Sequence, residues 1–192
     1  DKDPDKSILK KEADKKNYTT FEVPDDVGGR FSVFSDVGLF PAALVGIDIK
    51  SLIKGAEDMT KACQNTFDLK NNPAASQALI HHLMYKKDKC YSVMMPYSDK
   101  LGLFSDWYAQ LWAESLGKKQ KQDGKFIFLN HSPIKTIGAV DQHSQLQLWR
   151  EGGNDRVFTI ITVKDFNKNI PITKNPANVP DDLKYMRHNS LN

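Results

Sequence analysis

The sequence predicts an α/β protein: a three-layer sandwich in which a mostly parallel sheet carries helices on both faces. Two observations carry that prediction. Short strand-like runs at 90–95 and 157–163 alternate with longer segments of helical spacing. Those runs are also nearly all apolar, the pattern of strands covered on both sides. Length agrees, because 192 residues with 40% hydrophobic and 27% charged side chains suit one globular domain with a sizeable core.

Each element follows from its own residues. Positions 1–16 are charge-rich, with Ile8 and Leu9 as the only large apolar side chains, and read as a short surface helix. Positions 18–23 are β-branched and aromatic and stop at Pro24, as a buried strand would. A loop with Gly28 and Gly29 follows. The long apolar stretch 31–53 predicts one buried helix, with Pro41 tolerated if it falls in a first turn. Helical spacing resumes over 56–69 and 74–85, broken by Asn71, Asn72 and Pro73. Pro96 stops the strand at 90–95, and Ser98 is placed to cap a helix running to about Leu116. Along that helix Phe104, Trp107, Leu111 and Leu116 form one apolar stripe, and Gly117 closes it. A basic loop with Lys118, Lys119, Lys121 and Lys125 leads to an expected strand at 126–129. Asp141 caps a helix through Trp149, positions 152–155 turn, and 157–163 form the last strand. The expected division is an α/β domain over 1–163, with 164–192 an extended arm or the start of a following segment.

Charge and cysteine usage narrow the function. A net charge of +3 suits an enzyme for small anionic molecules and falls far short of a nucleic-acid binder. No apolar run is long enough to span a bilayer, and from the Asp-Lys-Asp-Pro opening no signal peptide is expected. Cys63 and Cys90 form no CxxC pair, which points to reduced thiols and a cytoplasmic setting. His81 and His82 are adjacent, so on a helix they diverge and suit a shared metal ion poorly. The expectation is no metal, no nucleic acid and no membrane partner.

Three segments can carry chemistry. In the first, Gly28 and Gly29 precede Arg30 at an expected strand-to-helix junction, where α/β sheets place ligand crevices. It is neither a P-loop nor a dinucleotide fingerprint, and taken alone also reads as a tight turn with a surface arginine. In the second, Gln110 and Glu114 are four apart and share a helix face. Glu114 beside Trp112 and Leu116 is a candidate general base, or else a solvated glutamate on an amphipathic helix. In the third, His143 sits in the first turn of a helix, whose N-terminus disfavours the imidazolium. Taken alone it reads first as a capping-turn histidine without chemistry.

Together the segments resemble the glucose-6-phosphate isomerase family, especially its bacterial branch. The resemblance rests on Asp25-Asp-Val-Gly-Gly-Arg-Phe-Ser-Val33, on Pro96-Tyr-Ser-Asp-Lys100 with Gln110-Leu-Trp-Ala-Glu-Ser-Leu-Gly-Lys118, and on Asp141-Gln-His-Ser-Gln145. They occur in family order, and the likeness covers roughly 1–165. It implies a sugar-isomerase fold and an aldose–ketose isomerase working through a cis-enediolate in glycolysis and gluconeogenesis. Glu114 would be the base, Arg30 the electrostatic stabiliser and His143 the ring-opening acid and base. Gly29 and Gln110 would line the pocket. A homodimer is implied, with His143 supplied across the interface, and no cofactor.

Asp36 and Val140 depart from the family pattern, which prefers a small residue and a threonine there. The family's phosphate loop and its C-terminal lysine have no counterpart. The resemblance therefore implies a fragment that by itself turns over little and self-associates through uncovered apolar surface. The alternative reading is a sugar-phosphate-binding domain without catalysis.

Overall fold

The computed structural model describes residues 5–64, 69–166, 168, 170–171 and 181–186. Three parallel strands form the sheet: β1 (Tyr91–Pro96), β2 (Ser132–Lys135) and β3 (Arg156–Ile161), in the order β2-β1-β3. Tyr91 lies level with Ser132 on one side and Arg156 on the other. Each crossover contains a helix, α5 (Gly102–Leu116) before β2 and α6 (Val140–Glu151) before β3.

The pleat assigns β1 side chains to the two layers. Ser92 points to α5, where its Oγ lies 2.6 Å from the Tyr108 hydroxyl. Val93 points the other way, level with Phe158, whose ring meets Trp149 of α6 edge-on at 4.9 Å. Helices therefore cover both faces of a parallel sheet, as the sequence predicts. The core is centred on β1, where Val93, Met94 and Met95 are buried and Ser92 is fully enclosed.

Before the sheet come α1 (Ile8–Lys15), capped by Ser7, then α2 (Asp36–Leu44), α3 (Ile49–Gln64) and α4 (Pro73–Tyr85). Asn72 caps α4 by accepting from the Ala75 amide at 2.9 Å, with Pro73 at the first helical position. Cys63 and Cys90 are both free thiols.

Several expectations are corrected. Positions 18–23 are not a buried strand: they run as exposed coil, pairing with no strand among the described residues. Phe21 instead packs its ring on Phe40 at 5.0 Å. Aromatic and β-branched composition favours a strand only where a sheet edge is available.

The apolar stretch 31–53 is not one buried helix either. It divides into a 3-10 helix (Gly29–Phe34), α2 and the start of α3. Extended backbone at Ser35 makes the first break, and Gly46 at φ +80° makes the second. Asp48 then caps α3 by accepting from the Lys50 and Ser51 amides. These bonds, with the Ser51 hydroxyl bond the largest cause, lower its pKa below the ordinary value. Phe31, Phe40, Leu44 and Val45 are exposed, and Pro41 sits inside α2 rather than in its first turn.

Ser98 does not cap with its side chain; a 3-10 turn (Asp99–Leu101) leads into α5. Asp141 is not the cap residue of α6 but lies in its first turn, where its Oδ2 accepts from the Ile137 amide at 2.7 Å. Positions 126–129 form no strand, and Phe126 and Phe128 face solvent. The missed strand is β2. Pro133 hides it from pattern reasoning, yet β2 is an edge strand. The amides of Ser132 and Thr136 donate to the Cys90 and Met94 carbonyls at 2.9 and 3.1 Å, and the alternate Pro133 position faces away from the ladder. The arm expected over 164–192 falls largely outside the described residues; within it Asp181–Met186 is a 3-10 turn.

Candidate active site

One helix face organises the site. Trp107, Gln110, Glu114 and the following Lys118 recur at three- and four-residue spacing, so α5 presents them in a row. Gln110 Nε2 donates to Glu114 Oε1 at 2.9 Å. Lys118 Nζ donates to the Glu114 carbonyl at 2.9 Å, placing a cation where the helix dipole favours one.

Arg30 reaches this row from 84 residues away in sequence. Its Nη1 donates to Glu114 Oε2 at 3.3 Å, and its Nε donates to Ser115 Oγ at 3.1 Å. Trp107 Nε1 donates to the Arg30 carbonyl at 3.1 Å, and the Phe31 ring lies 4.7 Å from the guanidinium carbon. The Arg30 side chain is 24% exposed and that of Glu114 48%. At that exposure the ion pair contributes about 1 kcal/mol or less to stability, so its significance is positional.

Arg30 lies within the 3-10 helix rather than at a strand-to-helix junction, because no strand precedes it among the described residues. Neither Gly28 nor Gly29 has a positive φ. A Cβ built on Gly29 meets no atom within 4 Å outside its chain neighbours, so packing does not require glycine there. The structure thus brings Arg30, Gln110 and Glu114 together, with Gly29 adjoining. His143 stands apart. It sits in the first turn of α6, exposed, and its side chain makes no hydrogen bond, ion pair or ring contact among the described residues.

Ser115 and Trp107 are contacts that sequence reasoning missed as part of the site. Their helical positions were legible, but only the fold shows that both reach Arg30. The adjacent histidines diverge as expected: His81 is buried and His82 is exposed. His81 packs against Trp112 at 4.8 Å and His131 at 5.8 Å, beside a cavity of about 330 Å³ between α4 and α5. Burial holds both imidazoles below their ordinary pKa, and for His81 the neighbouring His131 adds to the effect. A cavity of about 920 Å³ opens at the carboxyl ends of β1 and β3 around Tyr97, Lys100 and Thr162. It includes neither Arg30 nor Glu114, and the convergence of charged side chains marks the chemical site better than volume does.

Residues 5–178 match the family model described as phosphoglucose isomerase. The chain is 40% identical over 192 residues to the glucose-6-phosphate isomerase of Carboxydothermus hydrogenoformans, covering 99% of this chain and 40% of that protein. It is 46% identical over 164 residues to the probable glucose-6-phosphate isomerase of Methanococcus maripaludis, covering 85% and 35%. The crystal structure of a hypothetical protein from Thermus thermophilus superposes with a TM-score of 0.83 at 30% identity, over 98% of this chain and 43% of that one. The chain thus spans about two fifths of the length of these curated relatives. On the family match and on these identities, this chain belongs to the phosphoglucose isomerase family.

Proposed function

We propose that this chain supplies the base and the electrostatic stabiliser of an isomerase that interconverts glucose 6-phosphate and fructose 6-phosphate. The observation that carries the reading is the 3.3 Å approach of Arg30 Nη1 to Glu114 Oε2 from segments far apart in sequence. The relatives named glucose-6-phosphate isomerase support it.

The proposed chemistry uses these side chains directly. Glu114 takes the proton from the sugar carbon bearing the hydroxyl and returns it to the adjacent carbon. Charge collects on oxygen in the cis-enediolate between the two transfers. Arg30 is already held at Glu114 and stabilises that charge without rearranging. Gln110 orients the carboxylate, and Gly29 lines the space for the sugar. His143 protonates the ring oxygen and removes the hydroxyl proton to open the ring. One carboxylate moving one proton needs neither metal nor cofactor.

His143 is proposed to act on the site of a second copy, in a homodimer. Its exposure and lack of a side-chain partner among the described residues support this. No described helix is long and apolar enough to cross a membrane, and we place the reaction in the cytoplasm, in glycolysis and gluconeogenesis.

Glu114→Gln in the full-length protein tests the reading. The variant keeps its size and its bond to Gln110 but cannot take a proton. A drop in kcat of about 10²–10⁴-fold with sugar-phosphate affinity retained is expected. Unchanged turnover would remove Glu114 as the base, whereas sugar-phosphate binding without turnover in the parent would favour a non-catalytic binding domain.

A further inference from the structure

Arg30 is held on two sides by the helix that carries the base. A guanidinium has five N–H donors in a plane. The Nε–H meets Ser115 Oγ at 3.1 Å, and one Nη1–H meets Glu114 at 3.3 Å. Nη2 has no partner among the described residues. Fixing Nε–H fixes the plane of the whole group, so Ser115 decides where the unengaged Nη2 edge points. Trp107 fixes the other end, since its indole N–H holds the Arg30 carbonyl at 3.1 Å and anchors the backbone from which the side chain springs. Trp107 and Ser115 lie eight residues apart, bracketing Gln110 and Glu114.

We propose that Ser115 and Trp107 are positioning residues, which aim Arg30 at the oxygens of the reacting sugar from the same helix that aims Glu114. The inference rests on the isomerase reading above. Its consequence is that α5 sets the distance between base and stabiliser as one rigid body, although Arg30 comes from a 3-10 helix elsewhere in the chain. Neither residue touches the reacting atoms. Their effect falls on the charge that develops at the transition state, hence on kcat rather than on ground-state binding.

The experiment compares Ser115→Ala, Ser115→Thr and Trp107→Phe in the full-length protein, by a coupled assay with fructose 6-phosphate. Ser115→Ala is expected to lower kcat about tenfold with KM changed less than about twofold, the signature of an interaction used only in the transition state. Ser115→Thr retains a hydroxyl and is expected to recover kcat to within about threefold of the parent. Trp107→Phe keeps the ring, loses the N–H and is expected to lower kcat in the same sense. A Ser115→Ala enzyme with parental kcat would overturn the proposal, as would Thr and Ala variants equally impaired, or a loss in kcat matched by a loss in thermal stability. Glu114→Gln in the same assay separates the two claims. If it is inactive while Ser115→Ala is unimpaired, only the positioning role fails; if Glu114→Gln turns over normally, the assignment of Glu114 as the base fails.

Discussion

Ser92 and Tyr108 form the bond that ties α5 to the central strand, and it can be broken from either side. The two hydroxyls are 2.6 Å apart, and Ser92 is 0% exposed. Burial raises the Tyr108 pKa, with the Ser92 bond acting in the lowering direction, so the phenol stays neutral at physiological pH. Tyr108→Phe leaves the Ser92 hydroxyl enclosed without this partner and out of reach of water. The cost of stranding such a group is about 1–3 kcal/mol. Ser92→Ala strands only the half-buried Tyr108 hydroxyl, which can turn toward solvent, so a smaller loss of about 0.5–1.5 kcal/mol is expected. The double variant removes both groups and should be more stable than the sum of the single losses predicts, with a coupling of about 1 kcal/mol. Urea unfolding at 25 °C, followed by tryptophan fluorescence with the m-value held constant, measures all three. Additivity within about 0.3 kcal/mol, or a larger loss from Ser92→Ala than from Tyr108→Phe, would refute the reasoning.

Other substitutions test other parts. Gly38→Ala drives a Cβ to 2.1 Å from the Val33 carbonyl oxygen, a backbone atom that cannot swing aside. A loss of about 2–3 kcal/mol in the same unfolding assay is expected. Gly29→Ala meets no atom within 4 Å outside its chain neighbours and should leave stability unchanged, so any rise in KM for sugar phosphate would report on the site itself. The His81 imidazole has a lowered folded pKa. The folded chain therefore resists a proton that the unfolded chain accepts near its ordinary pKa of about 6.5. Stability is full above that pH and falls as pH drops through it toward the lowered folded value. The melting temperature should decline between about pH 7 and 5, and less steeply in His81→Leu; equal slopes would exclude a part for His81. Finally, mixing inactive Glu114→Gln and His143→Leu full-length chains should restore turnover if the histidine serves a second copy, and restore none if each copy uses its own.

The central part of the fold was legible because its local signals agree. The buried run around β1, the Asn72–Pro73 start of α4 and the Gln110–Glu114 spacing on α5 each state one structure. The misreadings have physical causes. Positions 18–23 look like a strand in composition, but β1 already has both its neighbours, from residues more than forty positions downstream. The stretch 31–53 is apolar, yet it breaks at Ser35, beside the close passage of Gly38 over Val33, and again where Gly46 takes a positive φ, and no residue pattern announces the first of these. β2 hid behind Pro133, because only the sheet order reveals that the missing amide lies on an outer edge. At the candidate site the identities of Arg30 and Glu114 were readable from the family likeness. The hold that Ser115 and Trp107 exert on Arg30 was not, since a serine and a tryptophan on a helix carry no mark of what they will meet.

The contact between Arg30 and Glu114 also governs which solutes can approach. Opposite charges this close cancel over short range, so a passing chloride or sulfate meets little pull from the guanidinium. A molecule must bring several oxygens at once, to meet the unengaged edge of the guanidinium while its contact with Glu114 stays in place. Small salts should therefore be weak competitors for a polyhydroxylated anion here, an exclusion set by shape that sign alone would not provide.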